Sequence, residues 1–155
     1  MKKIVCLLCL PVILAGCDLF NVDEAFDVSH KDLLTRNQWV LDAYTQTPAY
    51  HGVTDVFALL DDCVKDNIYI FGTDGSYEMD AGYLKCSESE QQSSVVGTWE
   101  IEEDFENELI IRSDSETTYF YIEKLTDSYL TISNLISEES VEYKITQSFR
   151  KKFNP

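Results

Sequence analysis

Between residues 37 and 149 apolar side chains fall mostly at alternate positions, in short runs separated by polar turns, which is the period of a sheet and not of a helix. Eight runs fit this reading: 37–45 around Trp39, then 67–71, 76–80, 95–102, 108–112, 117–125, 128–133 and 141–149. The second and third are separated by Gly72-Thr73-Asp74-Gly75, and Asp-Gly is a strong hairpin signal because glycine accepts the positive φ such turns need. In the fourth, Val95, Gly97 and Trp99 are predicted to share one side. Residues 46–52, with Pro48 and Gly52, read as a turn. Two stretches break the alternation. Ser29 followed by Asp32 marks a short helix over 31–36, and 54–62 spaces Val56, Leu59 and Leu60 along one face of a helical turn or two, predicted to cap a barrel end. Short strands joined in sequence by brief polar turns predict an all-β fold: an antiparallel up-and-down β-barrel of about eight strands, closed so that no edge is left exposed. A β-sandwich is the alternative, and it usually needs a long crossing connection that does not stand out here.

Residues 1–28 lie outside this pattern. Lys2 and Lys3 precede an apolar run from Ile4 to Leu14 and small residues before Cys17, the order of a targeting segment. The run is shorter than the ~20 residues that span a bilayer. Leu14-Ala15-Gly16-Cys17 resembles a bacterial lipobox, which implies cleavage before Cys17 and acylation of its thiol. The expected organisation is a lipoprotein signal peptide at 1–16, an acylated N-terminus and acidic tether at 17–30, and a barrel domain at 31–155. Two or three acyl chains hold a protein firmly to a membrane, at about 0.8 kcal/mol per buried methylene. The predicted address is the bacterial cell envelope, most simply the outer membrane, on its periplasmic or surface-exposed face.

This reading accounts for all five cysteines. Cys6 and Cys9 leave with the signal peptide, Cys17 is acylated, and Cys63 and Cys86 remain. In an oxidising compartment a remaining pair reads as a disulfide. A two-cysteine metal site and a pair of free thiols are the competing readings, the first lacking nearby histidines.

Charge narrows the partners. The formal net charge is −16, and without Lys2 and Lys3 only 10 of the 12 basic side chains remain against 28 acidic ones. Such a surface repels phosphate backbones, so nucleic acid is not an expected partner. With 45% hydrophobic residues the chain still has the means to fold. His30 and His51 read as exposed loop residues, which leaves no base for a triad and no histidine cluster for zinc. Asp61, Asp62, Asp66, Asp74 and Asp80 read as turn and surface carboxylates, because the calcium-loop pattern is absent. No catalytic constellation, metal site or cofactor is predicted.

The order Trp39, Cys63, Lys65-Asp66-Asn67, Tyr69-Ile70-Phe71, Asp74-Gly75-Ser76-Tyr77, Asp80-Ala81-Gly82, Cys86, Gly97-Thr98-Trp99 and Tyr143-Lys144-Ile145-Thr146 resembles the lipocalin-like domain of Gram-negative bacterial lipoproteins, over about residues 33–149. The resemblance implies a barrel and an envelope address more than an activity. True lipocalins place Gly-x-Trp on the first strand, where the tryptophan closes the base; this chain has Asn37-Gln38-Trp39 there, and its Gly-x-Trp is at 97–99. Trp39 is expected to take the closing role.

An eight-stranded interior either fills with side chains or holds one small ligand. The candidate pocket or core residues are the strand aromatics Trp39, Tyr69, Phe71, Tyr77, Trp99, Tyr119, Tyr121 and Tyr143. Tyr69 with Phe71, and Tyr119 with Tyr121, lie two apart and are expected to face the same way. The predicted function is binding of a small apolar or amphiphilic ligand in the barrel. The alternative is an interaction module, packed solid, that docks another envelope protein.

Overall fold

The computed structural model describes residues 28–102 and 107–153. The signal peptide, Cys17 and most of the tether therefore lie outside the described residues. Nine strands form one antiparallel sheet: β1 (Gln38–Tyr50), β2 (Val53–Asp55), β3 (Ile68–Phe71), β4 (Ser76–Asp80), β5 (Ser93–Ile101), β6 (Glu108–Arg112), β7 (Thr117–Leu125), β8 (Tyr129–Glu138) and β9 (Val141–Lys151). Sequential neighbours pair from β3 to β9, and β1 closes the sheet by pairing with β3 on one edge and β9 on the other. The barrel thus has the expected eight strands, and the short β2 is an addition on the edge of β1.

The base is built from the first turn of helix. Helix α1 (His30–Thr35) begins at the predicted cap, where the Ser29 hydroxyl oxygen accepts from the Asp32 N–H at 3.1 Å. His30 therefore opens a helix, half-buried, and is not a loop residue. Leu34 from α1 and Trp39 from β1 are both at 0% exposure, and the Trp39 indole N–H donates to the Leu34 carbonyl at 3.1 Å. Asn37 fills the place a glycine would hold: its amide donates to Asp127 O at 3.2 Å, tying α1 to the β7–β8 turn. Around them Leu41, Phe71, Trp99, Leu109, Ile122, Leu130, Ile132 and Phe149 complete a continuous apolar core.

Four expectations about elements change. The strand β1 runs through Pro48 to Tyr50, and the turn shrinks to His51-Gly52; Pro48 falls beyond the last β9 partner, Thr47, and inside an irregular stretch of the β2 ladder, where a missing N–H loses no ladder bond. Residues 54–62 divide into the end of β2 and a 3-10 turn at Phe57–Leu59, ahead of α2 (Asp62–Lys65). It is Phe57 and Leu60 that pack on the core, while Leu59 is exposed, because a 3-10 turn does not keep the helical spacing. The eighth strand continues to Glu138, since Glu139 and Ser140 adopt the left-handed conformation of a tight hairpin turn without the usual glycine or asparagine. Finally, a bulge opposite Tyr77 and Glu78 leaves Val96 unpaired, so Gly97 and Trp99 face inward while Val95 points to solvent.

Gly97 shows why that position tolerates no side chain. A Cβ there would lie 2.1 Å from the carbonyl oxygen of Arg112 on the neighbouring strand. The Gly-x-Trp at 97–99 is thus a strand-approach feature: Trp99 follows it inward and donates its indole N–H to Gly72 O at 3.0 Å, bonding β5 to the β3–β4 turn.

Cys63 and Cys86 are joined by a disulfide, with Cα atoms 5.2 Å apart. It links α2 to the loop after β4. The same loop is held by Asp66, whose Oδ2 accepts from the N–H groups of Tyr83 and Leu84 at 2.8 and 2.9 Å. The carboxylate of Asp80 accepts from Gly82 N and Gln92 Nε2, so Asp66 and Asp80 hold turns, as their positions suggested.

Candidate functional site

The strand aromatics separate into three groups. Trp39, Tyr69, Phe71, Tyr77 and Trp99 face inward, and the last four form a chain of ring contacts: Phe71 meets Trp99 edge-on at 5.4 Å between centroids, Phe71 and Tyr77 lie 5.2 Å apart, and Tyr77 stacks beside Tyr69 at 6.3 Å. Trp39, Phe71 and Trp99 belong to the buried core inside the barrel, and Tyr69 and Tyr77 pack against it. Burial pushes the phenols of both Tyr69 and Tyr77 up from their ordinary value. Beside them Asn67, 6% exposed, donates to Met79 Sδ, and its Oδ1 is buried without a partner among the described residues, an acceptor suited to a water or hydroxyl donor. Tyr143 also faces inward, near the far end of β9, where its ring meets Tyr50 edge-on at 5.4 Å.

Tyr119 and Tyr121, expected in a ligand pocket or the barrel core, form the third group and lie outside the core. They do share a face, but it is the outer one, with 56% and 53% exposure, because Phe120 and Ile122 between them take the inward positions of β7. Along β7 the sequence Thr-Tyr-Phe-Tyr-Ile is aromatic on both faces, so alternation alone could not choose which set is inside.

What gives this outer face a concavity is the way two strands part. The β7–β8 ladder runs from Leu125↔Leu130 to Tyr121↔Ser133 and stops, although β7 begins four residues earlier at Thr117 and β8 continues to Glu138. Beyond that point β8 stays with β9 in a long hairpin, from Asn134↔Ile145 to Glu138↔Val141, while β7 stays with β6. A cleft of about 940 Å³ lies at the parting. Tyr119, Tyr121 and Leu135 supply its apolar outer wall, and Phe120 and Asn134, which belong to the inner face by register, reach it where the strands separate. Its size is near the upper end of small-molecule pockets, which run roughly 300–1,000 Å³.

One polar cluster sits in this wall. Glu123 is the extra residue of the bulge in β7, and one of its oxygens accepts both the Ser133 hydroxyl, at 2.7 Å, and the Lys144 ammonium, at 2.5 Å. Lys144 and Ser133, both donating to it, hold the Glu123 carboxyl below its ordinary range. The cluster joins β7, β8 and β9 just below the parting. Glu108, opposite Tyr121 on β6, adds a second carboxylate to the lining. None of Glu108, Glu123, Ser133, Leu135 or Lys144 stands out in the sequence; the only signal for them is that they flank Tyr119 and Tyr121 once the strand order is known.

A closed eight-stranded meander with a capped base and a tryptophan across it is a lipocalin-type barrel. A family model described as lipocalin-like domain matches residues 37–132, and the chain belongs to that family. Among solved structures, the complex of bovine odorant binding protein with a selenium-containing odorant is similar at 12% identity, covering 82% of this chain and 75% of that one, with a TM-score of 0.42. No curated protein matches the sequence.

Proposed function

We propose that this protein is a lipid-anchored binding protein of the bacterial cell envelope, which takes up a small apolar or amphiphilic molecule in the cleft where β7 and β8 part. The observation that carries the reading is the cleft itself: about 940 Å³, walled by exposed Tyr119, Tyr121 and Leu135, with an ion pair and a hydroxyl at one side. Exposed apolar side chains grouped around a concavity mark a binding surface, whereas scattered ones do not. The barrel axis is a poorer seat, because its base is filled by Trp39, Leu34, Leu109 and Leu130 at less than 2% exposure.

The membrane part of the proposal rests on sequence: Lys2 and Lys3, the apolar run and Leu14-Ala15-Gly16-Cys17 support acylation of Cys17 and an outer-membrane address. The protein then acts by binding, not by catalysis. Organic extraction of the purified protein followed by mass spectrometry tests the ligand: a small amphiphile recovered from the wild type and reduced in Leu135→Asp is the expected result. Equal recovery from both, or none from either, contradicts it. Incorporation of labelled fatty acid by the wild type and not by Cys17→Ser tests the anchor.

A further inference from the structure

Resting on the cleft as the ligand site, we infer that its ligand carries a positive charge: an amphiphile with an ammonium head and an apolar tail. The charges in the wall lead to this. Glu108, Glu123 and Lys144 line it, and Lys144 is already committed to Glu123, so one carboxylate stays uncompensated. That carboxylate belongs to Glu108, whose side chain makes no hydrogen bond or ion pair among the described residues, while its backbone carbonyl accepts from Glu102 N at 3.1 Å. It stands directly opposite Tyr121 on the outer face, and Tyr119 lies two residues along the same strand.

A carboxylate beside exposed phenol rings is the chemistry that recognises an organic cation. The ring faces attract it through their quadrupole, and the carboxylate completes the charge. An anionic head would meet Glu108 with the single cation of the wall occupied. The whole chain, at −16, draws cations toward the cleft and repels anions from it. For the tail, the same lining offers the apolar side chains of Tyr121, Phe120 and Leu135.

Three amphiphiles of equal chain length separate this inference from the reading beneath it: decyltrimethylammonium, decanol and decanoate, each titrated calorimetrically below its micellar concentration into the mature chain carrying Cys17→Ser. The expected order of affinity is ammonium, alcohol, carboxylate, with the ammonium about tenfold tighter than the alcohol at low salt, the scale of one exposed cation–π contact plus one screened ion pair. Glu108→Gln narrows that gap, and so does raised ionic strength. Equal binding of all three, tighter binding of the carboxylate, or a gap that persists in Glu108→Gln overturns the charge preference while leaving a hydrophobic cleft in place. No binding of any of the three overturns the cleft as the ligand site, and the inference with it.

Discussion

At the scale of single residues, the inward rings give the clearest test. Burial holds the Tyr69 and Tyr77 phenols protonated above the ordinary value of 10.0. The folded pKa values are raised, so their contribution to stability is complete below about pH 10 and is lost as the pH climbs through the folded values, where the unfolded chain ionises and the barrel does not. Phenolate absorbance followed through alkaline titration is expected to show a late component, from the Tyr69 and Tyr77 phenols, that ionises above the ordinary value and only as the barrel unfolds. A single population contradicts this. Trp39→Ala removes the base plug and is expected to destabilise by about 3–5 kcal/mol in urea unfolding, as large core aromatics do. Trp39 was legible in the sequence, being the tryptophan of the first strand after a helix cap. The inward or outward assignment of Tyr119 and Tyr121 was not, because Phe120 and Ile122 offer an equally apolar alternate face and only the packed core decides between them.

At the scale of elements, the sequence made the hairpins visible wherever a turn residue announced them. Asp74-Gly75 is one such place, with Gly75 at φ 87° and the Asp74 carboxylate accepting from Ser76 N. The β8–β9 hairpin was only half legible, since its turn is Glu139-Ser140, two residues with no special claim to positive φ. The parting of β7 from β8 was not legible at all: it is a property of register between strands, two pairs beyond a bulge between Ile122 and Lys124, and no local pattern encodes it. Two predictions belong here. Closing a loop of 23 residues, the Cys63–Cys86 disulfide contributes roughly 3 kcal/mol in the chain-entropy account, so Cys63→Ala is expected to lower the melting temperature and leave a folded barrel by circular dichroism. The carboxyl of Glu123 has a folded value below its ordinary 4.5. Its stabilising contribution is therefore present above that pH and lost as the pH falls through the folded value. Glu123→Gln is expected to flatten the acid side of the stability profile, and an unchanged acid side would contradict the bond to Lys144 and Ser133 as a strand tie.

For the whole molecule, a barrel plugged by its own aromatics at the base and opened on its flank offers the proposed ligand the wall and not the axis. The fold class followed from alternation and short turns, while the cleft had to wait for three-dimensional register. Binding of apolar molecules at this flank is the proposed function. It is tested most directly by titrating the mature chain carrying Cys17→Ser with N-phenylnaphthylamine, a neutral probe that fluoresces in apolar surroundings, beside the same chain with Leu135→Asp. Leu135 is 61% exposed, so the substitution spares the core. Saturable enhancement at one site, weakened about tenfold or more by Leu135→Asp with the melting temperature held, is the result the cleft predicts. Enhancement that is absent, or that is the same in both chains, would place any binding elsewhere and contradict it.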